Sequence, residues 1–343
     1  MPRENIFETV ARAEKTSRDL LESVGKGFAF PVPEKIRDIS EDEKIQVDES
    51  GKEIKKTELL KTTLQALKNS WEQAIEPKID EIRKQSVKKD EQKGGTDFFT
   101  EADLASEETI RNAFFEKFGE DSIRVFGEER NEYLGNQKSR VGVRIDPIDG
   151  TESMKFGKTQ DWSIMVGVYE GTSENERQII GAMYFPERST LLYQVDGVVG
   201  VFVVNIETGE TKEISALDNQ DDLSEIITSY WKHANLQKTG RISEIESALR
   251  NSGARLRSTN SASADVLEAL TTGGKRAIVM DGDITTVDYI AYSLLQKMGY
   301  RLFDWKGNEL NADQSDLTDR KVVFVPPGKA GEEIVKNIIE VSK

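Results

Sequence analysis

The stretch that decides the reading is Asp146-Pro147-Ile148-Asp149-Gly150-Thr151, which follows the apolar run Val141-Gly142-Val143-Arg144-Ile145. The run predicts a strand over 141–146, with the hexapeptide as the turn at its end. Two carboxylates three residues apart at a strand end can converge on one point. Pro147 stiffens the turn, and Gly150 lets the backbone approach a ligand. Amides left free at the start of a following helix would make a phosphate cradle. Hard divalent cations take oxygen ligands, and magnesium uses few protein carboxylates while keeping waters and substrate phosphate oxygens. Asp, Pro and Gly are also ordinary turn residues, so the hexapeptide alone reads equally well as a capped turn.

Working outward, Val125-Phe126-Gly127-Glu128-Glu129 places an acid pair at the end of another apolar strand, eighteen residues upstream. By itself this is a solvated turn. Downstream, Asp281-Gly282-Asp283 and Thr286-Val287-Asp288 precede a helix with Ala291, Leu294, Leu295 and Met298 on one face. Asp288 falls near that helix's first turn, where an acid alone would merely complement the helix dipole.

The 343 residues are enough for two domains of ordinary size. Hydrophobic residues make up 36% and charged residues 32%, a globular and well-solvated balance. The formal net charge of −15 repels nucleic acid and anionic membrane surfaces, so neither is expected as a partner. It also repels a phosphorylated metabolite unless bound cations reverse the sign locally, which points to divalent metal. The absence of cysteine excludes disulfides, thiolate metal sites and cysteine nucleophiles. The single histidine, His233, has no companion base or ligand among Tyr230-Trp231-Lys232 and Ala234-Asn235, and reads as an ordinary surface or partly packed residue. Met1-Pro2-Arg3-Glu4-Asn5 leads into a charged helix without the apolar core of a signal peptide. The apolar stretch Val198 to Val204 is broken by Gly200 and too short to span a bilayer, so the expected location is the cytoplasm.

Along the chain, apolar spacing predicts a helix over 5–25, then extended structure at 28–33 where Pro31 and Pro33 fall. A charged linker or surface excursion is expected over 41–58, then a helix through Leu60, Leu64, Leu67, Trp71 and Ile75 that Pro77 kinks or restarts. A loop spans Lys88 to Gly95, and a helix follows over 100–118. Strands are predicted at 122–127, 141–146, 162–169, 179–185, 190–194 and 198–204. The polar segment 206–222 is the candidate domain boundary. Beyond it, strands at 225–229, 254–258, 276–280, 300–304 and 321–325 alternate with helices at 240–251, 262–272, 285–298 and 331–341. The first half thus reads as two or three helices against a largely antiparallel sheet, and the second as α/β. The expected division is an N-terminal extension over 1–55, an α+β domain over 56–212 and an α/β domain over 213–343.

Four ordered segments together resemble the inositol monophosphatase-like superfamily of lithium-sensitive, magnesium-dependent phosphatases. Asp97-Phe98-Phe99-Thr100-Glu101-Ala102-Asp103 is similar to its D-x-x-T-x-x-D stretch, and Gly127-Glu128-Glu129 to its G-E-E motif. Residues 146–151 match the D-P-I-D-G-T signature without a change. Val287-Asp288 with Ala291 and Leu294-Leu295 resembles W-D-x-A-A-x-x-L-L, and the likeness runs on through Gly299 and Asp304-Trp305-Lys306-Gly307-Asn308.

The resemblance implies a layered αβαβα sandwich with the active site between its two halves. It implies that Glu128, Asp146 and the carbonyl of Ile148 hold one magnesium ion (Mg2+), and that Asp146, Asp149 and Asp288 hold a second, with a weaker third beside Glu128. Thr151, hydrogen-bonded to Asp103, would orient and help deprotonate the attacking water. The Gly150 and Thr151 amides would grip phosphate, with Asp281 and Asp288 also facing substrate. A small phosphorylated metabolite is the implied partner and a homodimer the implied assembly. The implied reaction is hydrolysis of a small polyol phosphate, inositol monophosphate by default. 3′(2′),5′-Bisphosphate nucleotidase and fructose-1,6-bisphosphatase are the enzymatic alternatives, and a non-catalytic protein of the same fold is the rival from another class. Val287 departs from the family's tryptophan. Glu152-Ser153-Met154 matches neither the threonine-asparagine of inositol monophosphatases nor the lysine-glycine of the nucleotidases, and Glu152 adds negative charge beside the cradle.

Overall fold

A computed structural model describes residues 43–48, 51–84, 88–89, 98–156, 160–172, 175–231, 241–251, 253–258, 261–281, 285–312 and 321–342. The expected helix over 5–25, the extended segment at 28–33, Asp97, Lys93 and His233 lie outside the described residues.

Strands β1 (Lys44–Gln46) and β2 (Glu53–Lys55) form an antiparallel hairpin where a charged linker was expected. Ile45, Val47 and Ile54 are buried, with charges alternating between them, a period of two concealed by the local charge density. Helix α1 (Lys56–Asn69) turns Leu59, Leu60, Leu64 and Leu67 inward. Pro77 restarts rather than kinks it. A π-helical turn at Ser70–Ile75 and a 3-10 turn at Glu76–Lys78 separate α1 from α2 (Ile79–Lys84). Strands β3 (Lys88–Lys89) and β4 (Phe98–Phe99) pair antiparallel ahead of α3 (Glu101–Phe118), which begins on a Thr100–Asp103 capping box.

An eight-stranded sheet follows: β5 (Arg124–Gly127), β6 (Glu132–Gly135), β7 (Val141–Asp149), then, after α4 (Thr151–Phe156), β8 (Ser163–Thr172), β9 (Asn175–Phe185), β10 (Thr190–Val195), β11 (Val201–Asn205) and β12 (Thr211–Ile214). Its order is β12-β11-β10-β9-β8-β7-β5-β6, antiparallel throughout except for the parallel β5–β7 pair. The edge strands β6 and β12, four residues each, are too short to show a clear alternation in sequence.

The second half contributes β13 (Ile227–Trp231), α5 (Arg241–Asn251), β14 (Arg255–Ser258), α6 (Ala262–Thr271), β15 (Arg276–Asp281), α7 (Tyr289–Lys297), β16 (Arg301–Asp304), β17 (Glu309–Leu310), β18 (Lys321–Val325) and α8 (Lys329–Ser342). The sheet order is β14-β13-β15-β18-β16-β17, with β13 parallel to both neighbours and β18 antiparallel to both of its own.

Strand alternation then builds the layers. Ile164, Val166 and Val168 face α1 and α3, while Met165, on the opposite face of β8, joins Met183 and Phe185 against α6 and α7. Ile278, Met280 and Phe324 of the second sheet close that middle core. Ala277, Val279, Val323 and Val325 face outward against α5 and α8. The order is helix, sheet, helix, sheet, helix: the αβαβα sandwich. Gly167 and Gly181 sit opposite each other on β8 and β9. A Cβ at Gly181 would come within 2.4 Å of Leu294 Cδ1, so this glycine lets α7 seat directly on the sheet. No helix among the described residues is long and apolar enough to cross a membrane.

One buried polar group stands inside this packing. Glu176 on β9 receives Arg124 at 2.7 Å and also pairs with Arg144, whose guanidinium stacks 4.3 Å over the Tyr169 ring. All three charged side chains are at most 4% exposed. Truncating the shared acid leaves two uncompensated buried guanidiniums. Glu176→Ala is expected to cost about 3–5 kcal/mol, read as a lowered urea midpoint at unchanged slope.

Candidate metal centre

Strand β7 carries Asp146 and Asp149 three residues apart, which in a regular strand would point them to opposite faces. The register with β8 shifts between them: Asp146 opposes Met165 and Asp149 opposes Ser163, three steps on one strand against two on the other. The extra residue is a bulge that re-aims the second carboxylate to the side of the first. Pro147 stands inside it, where the missing backbone donor is tolerated. The strand therefore runs on to Asp149, past the end expected at 146. Asp288, at the start of α7, completes a buried trio in which one carboxylate oxygen from each acid lies within 4.8 Å of the other two.

Each carboxylate has its own donors. Asp146 Oδ1 accepts from Ile148 N at 3.1 Å. Asp149 is held by the N-terminus of α6: Oδ1 accepts from Ala262 N at 3.0 Å, and Oδ2 from Ser261 Oγ at 2.7 Å, Ser263 N at 2.8 Å and Ser263 Oγ. Asp288 Oδ2 accepts from Thr285 N at 2.7 Å and Thr285 Oγ1 at 3.0 Å. Asp103 repeats that arrangement, taking Thr100 N and Thr100 Oγ1 both at 2.6 Å on Oδ2. Its other oxygen accepts from Thr151 Oγ1 at 3.3 Å, and the same hydroxyl lies 2.9 Å from the Ile148 carbonyl. Gly150 takes φ +82°, and an added Cβ there would meet the Asp161 carbonyl at 2.7 Å, so the turn tolerates only glycine.

Electrostatics follow from this crowding. Burial pushes Asp146 well above the usual carboxylate range, and the nearby charges of Glu128, Asp149 and Asp288 push it further. Asp288 is raised likewise by burial and then by Asp149 and Glu128, against the pull of the Thr285 donors. Asp149 is raised by burial while the Ser261–Ser263 donors draw it down. Asp103 is pushed from 3.8 to about 7, chiefly by burial. Carboxylates that raise one another in this way suit a hard divalent cation, which relieves the repulsion and takes oxygen ligands alone. The donor set therefore fits a metal of the magnesium type.

Of the expected site residues, the structure brings together Asp103, Glu128, Asp146, Ile148, Asp149, Gly150, Thr151 and Asp288. Glu128 stands beside the buried trio: it bears on Asp146 by charge and by a side-chain hydrogen bond. Asp281 closes β15, in register with Lys321; its side chain, like Gly282 and Asp283, lies outside the described residues. Val287 is buried in the middle core. Sequence reasoning missed Ser261, Ser263 and Thr285. Two of these had signals: a serine immediately before a predicted helix is a capping candidate, and Thr285-x-x-Asp288 repeats the spacing of Thr100-x-x-Asp103.

The sequence model of the Inositol monophosphatase family matches residues 42–343. The chain belongs to the inositol monophosphatase family. Members of this family are metal-dependent phosphatases, that is, phosphoric monoester hydrolases acting on phosphorylated small molecules. A fructose-1,6-bisphosphatase/inositol-1-monophosphatase of Aquifex aeolicus (strain VF5) is 29% identical over 150 residues, 43% of this chain and 49% of that protein. The match thus spans about half the length of that curated relative. The extragenic suppressor protein suhB of Bartonella henselae superposes with a TM-score of 0.66 at 17% identity, over 82% of this chain and 98% of that one. The Thermotoga maritima IMPase gives 0.61 at 21%, over 83% and 98%. An inositol monophosphate-bound IMPase-II gives 0.59 at 18%, over 82% and 94%. At these identities the structures establish the shared fold.

A pH prediction follows from the raised carboxylates. The folded state holds protons on them more tightly than the unfolded chain. Their contribution to stability is thus full below the unfolded value near 3.8 and is lost as pH rises through the folded one, about 7 for Asp103. The melting temperature of the metal-free protein should fall between pH 4 and pH 7. Millimolar Mg2+ should restore it at pH 7 and do little at pH 4; an identical pH slope with and without the ion would refute this account.

Proposed function

We propose that this chain is a magnesium-dependent phosphatase of a small polyol phosphate monoester, with inositol monophosphate as the first substrate to test. The convergence of three buried carboxylates from β7 and the start of α7, beside Glu128 and the Thr151–Asp103 pair, carries this reading. Glu128, Asp146 and the Ile148 carbonyl would hold one ion, and Asp146, Asp149 and Asp288 the other. When bound, magnesium supplies Lewis acidity, neutralising phosphate charge and easing both water deprotonation and alkoxide departure.

The remaining steps belong to the chain's own atoms. Thr151 Oγ1 orients the attacking water and takes its proton as it passes its own hydrogen to Asp103 Oδ1. Asp103 Oδ1, which accepts the Thr151 hydrogen bond, is the group that receives this proton. The amides of Gly150 and Thr151 bind phosphate oxygens, and the family resemblance assigns Asp281 to the substrate hydroxyls. Burial of the trio excludes bulk water and strengthens each of these electrostatic contacts. Lithium sensitivity, a homodimeric assembly and a cytoplasmic location belong to the same reading.

The fructose-1,6-bisphosphatase alternative draws on the name of the Aquifex aeolicus relative. Phosphate release should be measured with Mg2+ against inositol monophosphate, fructose-1,6-bisphosphate and phosphoadenosine phosphate, each with and without lithium. We expect release from inositol monophosphate, lost to background in Asp146→Asn and reduced about 100-fold or more in Thr151→Ala. Magnesium binding without release from any substrate would favour the non-catalytic rival, and an unaffected Asp146→Asn would remove the site assignment.

A further inference from the structure

Helix α3 presents Asp103, Ser106 and Glu107 along one line of its surface, at i, i+3 and i+4, and all three are buried. Each holds a different segment of the metal centre. Asp103 accepts from Thr151. Ser106 Oγ donates to the carbonyl of Pro147, inside the β7 bulge, at 3.1 Å. Glu107 Oε2 accepts from the backbone amides of Glu129 at 2.9 Å and Arg130 at 3.4 Å, the two residues that follow Glu128.

The third contact is the tightest fit. A Cβ on Gly127 would lie 2.1 Å from the Glu107 carboxyl carbon and 2.3 and 2.5 Å from its oxygens. Gly127 is not needed for a left-handed backbone; it is needed because the Glu107 carboxylate occupies the space a side chain would take. From the other side, Glu128 N donates to the carbonyl of Ile145 at 3.1 Å, directly before Asp146. The chain on either side of the Glu128 side chain is therefore pinned, once to β7 and once to α3. Glu107 itself is 2% exposed, with Arg130 at 3.5 Å and Arg111 at 4.0 Å. Its charge is supported by those two cations and the two amides, which oppose the rise that burial imposes.

We propose that Glu107 is a positioning residue of the metal centre: through the 129 and 130 amides it fixes the Glu128 loop at the separation from Asp146 at which both carboxylates share one cation. The proposal rests on the reading of Glu128 and Asp146 as metal ligands. It explains why an acid is buried four residues beyond Asp103 on the same helix face, in a place where a leucine would pack at no desolvation cost. Without the carboxylate, two amides lose their acceptor and the loop carrying Glu128 is free to shift.

The test is calorimetric titration of Mg2+ into the full chain and into Glu128→Gln, Glu107→Ala, Glu107→Gln and Gly127→Ala, with circular dichroism confirming the folded state of each. Removing a group that orients a metal ligand typically weakens binding 10- to 100-fold, and Glu107→Ala should weaken Mg2+ by about that factor. Glu107→Gln keeps one acceptor oxygen for the Glu129 amide and should recover most of the affinity, a rescue that lost stability alone would not produce. Gly127→Ala, which displaces the carboxylate, should weaken Mg2+ like Glu107→Ala, and it decides the question if Glu107→Ala does not fold. Wild-type affinity in Glu107→Ala or Gly127→Ala, with Glu128→Gln impaired, overturns the role of Glu107 and leaves the ligand assignment standing. Wild-type affinity in Glu128→Gln overturns the ligand assignment, and the Glu107 proposal with it.

Discussion

Negative charges crowded out of water repel one another, and holding Asp146, Asp149 and Asp288 within 4.8 Å in a buried space is the constraint to which this fold is fitted. The penalty is visible in the raised proton affinity of all three. It is offset locally by donors, so that each acid already has a hydroxyl or an amide directed at it. A divalent cation would relieve the remainder. A site that is costly when empty and stable when filled couples metal affinity to pH and to folding.

The layers serve this arrangement. The big sheet delivers Asp146 and Asp149 at the end of β7, while α6 and α7, packed between the sheets, bring their N-termini to the same point. Helix N-termini carry unsatisfied amides and partial positive charge, which suits them to gather around carboxylates. The glycines at 167 and 181 let α7, whose N-cap is Asp288, seat on β8 and β9. On the opposite face, α3 lies along the same strand ends and touches three site segments with three side chains. The buried pair of Arg144 and Glu176 adds a further tie. Arg144 stands two residues before Asp146 and donates to the carbonyl of Thr286, two residues before Asp288, at 3.4 Å.

Much of this was legible in the residues. The strand that carries Asp146 has apolar side chains at 141, 143 and 145, and the acids fall where such patterns stop, beside a turn. The helices at 262–271 and 289–297 stand within a few residues of their predicted bounds because their apolar spacing is regular. Charge-dense segments were misread. The β1–β2 hairpin looked like a linker, since only three apolar residues mark its buried face. The edge strands β6 and β12 are four residues long and pair with one neighbour each, so they leave little pattern.

What the sequence determined by itself was which residues are acidic, where the main apolar strands and helices lie and which local turns form, because these depend on neighbours a few positions away. The T-x-x-D pairs at 100–103 and 285–288 belong to that class, each closing its own turn. What only the tertiary structure decided was which groups meet. The bulge turning Asp149 toward Asp146 depends on the partner strand's register. The clamp on Asp149 comes from Ser261, 112 residues on, and the Glu107 contacts fall 22 and 23 residues away at the Glu129 and Arg130 amides. Such contacts carry no spacing rule, since they are set by how layers pack and which backbone amides that packing leaves pointing at a buried charge.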